Sequence, residues 1–142
     1  KKYMKVVNNC LKPGGLFLLH TIGSNISKNS GTDIWIDKYI FPGGQLPSQA
    51  QIASAAENLF VNEDWHSFTD ESGSYYDKTL MAWHNNFNVS WNELREQYGE
   101  KFKRMWDYYL LSCAGSFRSR NIQIWQTVFS RKGEVKGYQS IR

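Results

Sequence analysis

The chain has 142 residues, enough for one domain with a real core, and its 41% hydrophobic and 21% charged content is ordinary for a globular protein. A formal charge of +4 is compatible with an anionic phospholipid surface or with nucleic acid and identifies neither, and no apolar run is long enough to span a bilayer. Two cysteines, Cys10 and Cys113, without paired spacing argue against a disulfide framework and for a reducing, cytoplasmic setting.

Tyr3, Met4, Val6, Val7 and Leu11 recur at helical spacing, so the chain is predicted to open in a helix that Pro13-Gly14-Gly15 stops. "LFLLH", Leu16 to His20, follows as a strand of continuous apolar character, which fits a sheet covered on both faces. A polar loop, "GSNISKNSGT", leads to "DIWIDKYIFPGGQLPS", where Ile34, Trp35, Tyr39 and Ile40 fall near helical spacing before Pro42 breaks the chain. Ser48 is placed to cap a helix through "QAQIASAAENL". "LFVNEDWHSF" reads as a strand and "TDESGS" as a turn-rich loop. A long helical region then runs from Tyr76 to about Arg118, interrupted near residues 88–90 and at Gly99. "IQIWQTVFSR" alternates like a strand, and the tail "KGEVKGYQSIR" is expected to be loosely held.

Three strands with helices before, between and after them make an α/β pattern, short of the about five or six strands usual in such sheets. The second half of a doubly wound domain fits the count better than a free-standing small fold. Such a piece would leave an edge of its first strand open, inviting self-association into a homo-oligomer.

Few residues stand out chemically. His20 ends an apolar strand, where a histidine often only satisfies a backbone group. Strand carboxyl ends in open α/β sheets are also where ligands bind, and an imidazole there, followed by Thr21-Ile22-Gly23, could hold a small anion or carry a proton. Cys113 lies among small neighbours, Ser112, Ala114 and Gly115, as a buried structural cysteine would. Tyr76 sits at a loop-to-helix junction. His66 and His84 have no metal-ligand spacing with each other or with a cysteine, and no metal site is expected. No Walker loop, G-x-G-x-x-G or G-x-S-x-G is present. Composition and spacing alone therefore stop at part of an α/β domain.

"LKPGGLFLLH" resembles the segment leading into the fifth strand of class I S-adenosylmethionine-dependent methyltransferases. With "LLHTIGS", "WIDKYIFPGGQLPS", "EDWHSF", "YDKTLMAWHNNF" and "RMWDYYLLSCAGSFRSRNIQIWQTVFSR" in order, the chain resembles the cyclopropane-fatty-acyl-phospholipid synthases from about Tyr3 to Arg131. The resemblance implies a Rossmann-like fold with a seven-stranded sheet whose last strand is antiparallel. Residues 16–20, 59–68 and 121–131 would be strands five, six and seven. Residues 1–142 would then be the carboxy-terminal part of the catalytic domain. The first four strands, the glycine-rich cofactor loop, a lipid-binding domain and a glutamate would lie upstream, so this piece alone should be inactive and bind S-adenosylmethionine poorly.

The implied reaction transfers the sulfonium methyl to a cis double bond of an unsaturated phospholipid acyl chain. A carbocation forms, the delivered methyl loses a proton, and the ring closes. That chemistry needs a dry apolar slot, a base near the methyl, and groups that tolerate developing positive charge. The resemblance makes a bound bicarbonate the base, held by His20, the backbone at Ile22, and Tyr76, the last preferred over Tyr75 because of "YD" and "TLMAW". It also places Cys113 in the active site, as a lining group rather than a required nucleophile, and Trp35, Tyr39 and Phe41 beside the lipid slot. The expected partner is an unsaturated phospholipid at the inner face of the membrane, met peripherally and without nucleic acid. The other readings are a sister methyltransferase acting on mycolic acids or small amines, and a non-catalytic lipid-binding module.

Overall fold

The computed structural model describes residues 1–27, 33–70 and 73–141. The first helix, α1 (Lys2–Cys10), turns Met4, Val7, Asn8 and Leu11 inward and leaves Tyr3 and Val6 more than half exposed. Gly14, at φ 70°, takes the left-handed turn that a side chain would resist, and β1 (Leu16–Ser24) follows. Next come α2 (Ile34–Tyr39) and α3 (Gln49–Ala56). Ser48 caps α3 as expected: its Oγ accepts from Gln51 N at 3.2 Å while Gln51 Oε1 accepts from Ser48 N at 2.9 Å.

After β2 (Val61–Ser67) the segment expected as plain loop forms a two-residue ladder, β3 (Thr69–Asp70) with β4 (Gly73–Ser74). Two helices then form a hairpin, α4 (Tyr75–Val89) and α5 (Trp91–Arg118), with Gly99 breaking α5 at φ 72°, ψ 164° where the interruption was expected. β5 (Ile122–Ser130) returns through the sheet.

The main sheet has the order β1-β5-β2, with β5 antiparallel to both neighbours, so β1 and β2 run the same way. The ends of the three long strands lie within four residues of the expected ranges, and the reversed final strand is the one expected. All nine residues of β1 pair with β5, from Leu16↔Ser130 to Ser24↔Ile122. On the other side the register slips between Asn62 and Asp64, and the intervening Glu63 accepts from Ser130 Oγ at 2.5 Å and from Glu134 N at 2.9 Å.

Because side chains alternate along a strand, β5 feeds two separate cores. Trp125 and Phe129 pack with Met4, Ile52 and Ala56 from α1 and α3, joined by Phe17, Leu19 and Trp65. Ile124 packs on the opposite face with Leu80, Leu110, Ala114 and Phe117 from α4 and α5. The expectation that β1 is covered on both faces is corrected here. The helix hairpin meets the sheet at Ile22, Ile122 and Ile124, and leaves Leu16 and Leu18, on the same face of β1, 45% and 52% exposed.

One close approach fixes the pairing of β1 with β5. A Cβ on Gly23 would lie 2.0 Å from Cζ3 of Trp125, a fully buried ring with no room to retreat. Gly23→Ala should therefore destabilise the protein by about 1–3 kcal/mol, the usual scale of overpacking. Combining it with Trp125→Leu should cost less than the sum of the two single changes, read by urea denaturation of the full-length gene product.

Candidate active site

Residues 16, 18, 20 and 22 of β1 share the face on which α4 and α5 pack, and His20 stands on that face directly across from Gln126 of β5. Gln126 Nε2 donates to His20 Nδ1 at 3.2 Å. A neutral imidazole that accepts at Nδ1 carries its proton on Nε2, so His20 presents an N–H donor away from the sheet row. Gln126 also sits opposite His66 of β2, giving a row His20–Gln126–His66 across the three strands. The Phe68 ring meets both imidazoles edge-on, at 5.9 Å from His20 and 4.9 Å from His66.

A second donor follows from strand parity. Ser24 N–H bonds outward, to Pro47 O at 2.9 Å, rather than to β5. Two residues earlier along the same strand, the Ile22 N–H points to that same outer edge, away from β5. Its carbonyl points there too and accepts from Thr21 Oγ1 at 2.9 Å.

Tyr76 comes from the first turn of α4. The next residue, Asp77, accepts from Arg118 Nε at 2.9 Å and Nη2 at 3.0 Å, a two-pronged clamp that ties the start of α4 to the end of α5. With the turn held, the Tyr76 ring packs against Phe117 at 4.8 Å and Trp83 at 5.9 Å. At the far end of the hairpin Asp107 accepts from Lys103 Nζ at 2.7 Å and meets His84 Nε2 at 3.0 Å. The two clamps fix how α4 lies along α5.

Cys113 lies one helical turn beyond Tyr109 on α5, so both reach the same apolar cluster as Tyr76, Ile22 and Phe68. Burial pushes the Cys113 thiol above its ordinary pKa, against a smaller opposing hydrogen bond with Ser112. Burial and then the Cys113 charge raise Tyr76, and the same causes together with Tyr76 push Tyr109 up to about 12. At neutral pH all three groups are uncharged, and each phenol is a donor.

The expected site residues therefore group unevenly. Ile22, Tyr76 and Cys113 belong to one cluster, and His20 borders it through Phe68. Of the two tyrosines weighed, Tyr76 is the one in that cluster, while Tyr75 is 42% exposed and touches Phe68 at 6.2 Å. The three aromatics expected beside a lipid slot divide. Phe41 meets Tyr109 at 6.1 Å, whereas Trp35 and Tyr39 pack with each other and Trp35 with Tyr108, on the outer side of α5. Sequence reasoning missed Gln126 and Tyr109. Tyr109 carried a readable signal in its four-residue spacing from Cys113; Gln126 carried none, since it meets His20 across 106 residues of chain.

A profile of the family described as mycolic acid cyclopropane synthetase matches residues 1–127. The chain belongs to that family. It is 56% identical over 129 residues to the cyclopropane-fatty-acyl-phospholipid synthase of Escherichia coli K12, covering 91% of this chain and 32% of that protein. It thus spans about a third of the length of this curated relative. Among solved structures it matches the cyclopropane synthase MmaA2 from Mycobacterium tuberculosis with a TM-score of 0.76 at 24% identity, over 90% of this chain and 48% of that one. It also matches the mycolic acid cyclopropane synthase CmaA1 complexed with SAH and CTAB, with a TM-score of 0.74 at 26% identity, over 90% of this chain and 49% of that one. The α/β fold with its reversed last strand is accordingly that of the cyclopropane synthases.

The raised thiol pKa has a measurable sign. Cys113 should react with iodoacetamide far more slowly than the exposed Cys10 at neutral pH, and its rate should still be climbing at alkaline pH where an ordinary thiol has levelled off. Peptide mass spectrometry of the two cysteines in one sample gives both rates.

Proposed function

We propose that this chain is the carboxy-terminal part of the catalytic domain of a cyclopropane-fatty-acyl-phospholipid synthase, a cytoplasmic enzyme peripheral to the membrane. Its reaction joins a methyl carbon from S-adenosylmethionine across the cis double bond of a phospholipid acyl chain. The observation that carries this reading is a set of hydrogen-bond donors around the carboxyl end of β1: His20 Nε2–H on the face that meets the α4–α5 hairpin, the Ile22 N–H at the outer edge of β1, and the Tyr76 hydroxyl, whose ring shares a cluster with Ile22. The sequence identity to the Escherichia coli enzyme supports the substrate class.

Three donors suit a small oxyanion, and bicarbonate is one they would fit. When bound, S-adenosylmethionine supplies an electrophilic methyl and bicarbonate supplies a base. The protein residues do the rest. His20, turned by Gln126, and the Ile22 N–H would hold the anion from the β1 edge, and Tyr76, its position set by the Asp77–Arg118 clamp, would donate from α4. Because burial keeps Tyr76, Tyr109 and Cys113 protonated, none of them places a nucleophile or a competing base beside a carbocation. The partly buried rings of Tyr76 and Tyr109 would line the apolar side of the slot, where an aromatic face tolerates positive charge. The sequence holds no glycine-rich cofactor loop, so the main contacts to S-adenosylmethionine belong elsewhere in the full-length gene product.

Expressed at full length in a host lacking its own cyclopropanation, the gene should add the mass of one methylene to unsaturated phospholipids, seen by lipid mass spectrometry. An unchanged lipid profile would remove the synthase reading. His20→Ala should lower turnover about 10²-fold or more, on the scale of losing a preorganised donor to a charged group. It should also abolish the gain that bicarbonate gives to bicarbonate-depleted wild-type enzyme, and a variant that keeps full turnover would exclude the anion site. Gln126→Leu, which leaves the imidazole present but unturned, should fall between the two.

A further inference from the structure

On the outer face of the α2–α5 contact, exposed aromatic and aliphatic groups meet cations that make no ion pair among the described residues. Ile34 is 86% exposed, Tyr108 53% and Tyr39 45%. Trp35 is wedged between the two tyrosines, its ring 5.5 Å from Tyr39 and 4.6 Å from Tyr108. Beside it lies an open cleft of about 340 Å³ lined by Trp35, Lys101, Arg104, Met105 and Tyr108. Lys101, Arg104 and Tyr108 are spaced by three and four residues, so they form one stripe along α5. Lys38 extends the stripe from α2, its Nζ 5.0 Å from the Tyr39 ring centre.

The charges on α5 are divided by face. Lys103 is bound to Asp107 and Arg118 to Asp77. Lys38, Lys101 and Arg104 make no ion pair among the described residues, and Glu100, one turn before Arg104, is not bonded to it. The acids of α2 are already committed: Asp33 caps Trp35 and Ile36, and Asp37 accepts from Gly43 N at 2.8 Å. Three cations that none of these acids binds, around protruding Ile, Trp and Tyr side chains, match a bilayer interface. Cations reach headgroup phosphates while amphipathic rings settle at the boundary with the acyl chains. A nucleic acid would have no use for Ile34, and a neutral partner none for the three cations.

We propose that this face, Ile34, Lys38 and Tyr39 of α2 with Lys101, Arg104 and Tyr108 of α5, docks the protein on an anionic phospholipid bilayer. The proposal rests on the acyl-phospholipid reading above and says where that substrate is met. Tyr108 and Tyr109 are adjacent on α5. The first belongs to the docking face, and the second touches Phe41 and shares the cluster of Cys113 and Tyr76. One helix thus joins the bilayer to the slot, and an acyl chain drawn from the docked leaflet would have a short path inward.

The test is co-sedimentation of the full-length gene product with vesicles of phosphatidylglycerol mixed into phosphatidylcholine, against pure phosphatidylcholine, at rising salt. Wild-type protein should prefer the anionic vesicles and lose that preference as salt rises. Lys101→Glu with Arg104→Glu should weaken binding at least about tenfold. Lys101→Arg with Arg104→Lys should keep it, and Ile34→Ser, at a site too exposed to affect folding, should weaken it without changing the salt dependence. Turnover on detergent-dispersed phospholipid should stay at the wild-type value in the charge-reversed protein. His20→Ala should do the opposite, losing turnover while binding vesicles normally, so the two readings fail separately. Equal binding of wild-type and charge-reversed protein to anionic vesicles, or no preference of the wild type for them over neutral ones, would overturn the proposal.

Discussion

The structure depends on one strand running against its neighbours. With β5 antiparallel between β1 and β2, its side chains alternate between the two faces of the sheet and its apolar ones enter a core on each. Trp125 fills one side so completely that β1 can pass only by offering Gly23 in place of a side chain. That contact sets the register of nine paired residues, and the register puts His20 opposite Gln126. A shift of one residue would turn His20 to the other face and away from the helix hairpin. The orientation of the candidate acid–base group is in this sense a consequence of the packing of a tryptophan on the far side of the sheet.

Much of this was legible because it is local. The alternation in "IQIWQTVFSR" marks a strand with two working faces, Ser48 followed three residues later by Gln51 marks a helix start, and Gly99 marks a break. The limits of the reading are equally physical. "LFLLH" is apolar throughout, so its pattern could not say that α4 and α5 reach only one end of β1. The short β3–β4 ladder rests on two backbone pairs, Thr69↔Ser74 and Asp70↔Gly73, which leave no side-chain period to detect.

The site divides along the same line. His20, Ile22, Tyr76 and Cys113 were reached by resemblance. Their partners Gln126, Phe68 and Arg118 are set by contacts between distant segments, for which a single sequence offers no signal. Arg118 shows how much such a partner matters. Its clamp on Asp77 fixes the helix turn that carries Tyr76, so the "YD" pair works as one unit in which the acid aims the phenol. Trp35 and Phe41 lie six residues apart, yet they fall on opposite sides of the α5 contact, because α2 ends between them at Tyr39.

The electrostatics of the cluster close the argument. Tyr76, Tyr109 and Cys113 are each weak acids; burial makes ionisation of each more costly, and a charge on Cys113 would add to that cost for both tyrosines. The site therefore holds three groups that could become negative and keeps all of them neutral. Under the proposed function, that neutrality would favour an oxyanion, since none of the three would repel it. Had the thiol been held as thiolate, the anion would have met repulsion and a carbocation would have met a nucleophile. The hydrophobic packing of α5 against the sheet, by partly burying these three residues, is thus what keeps their protons in place.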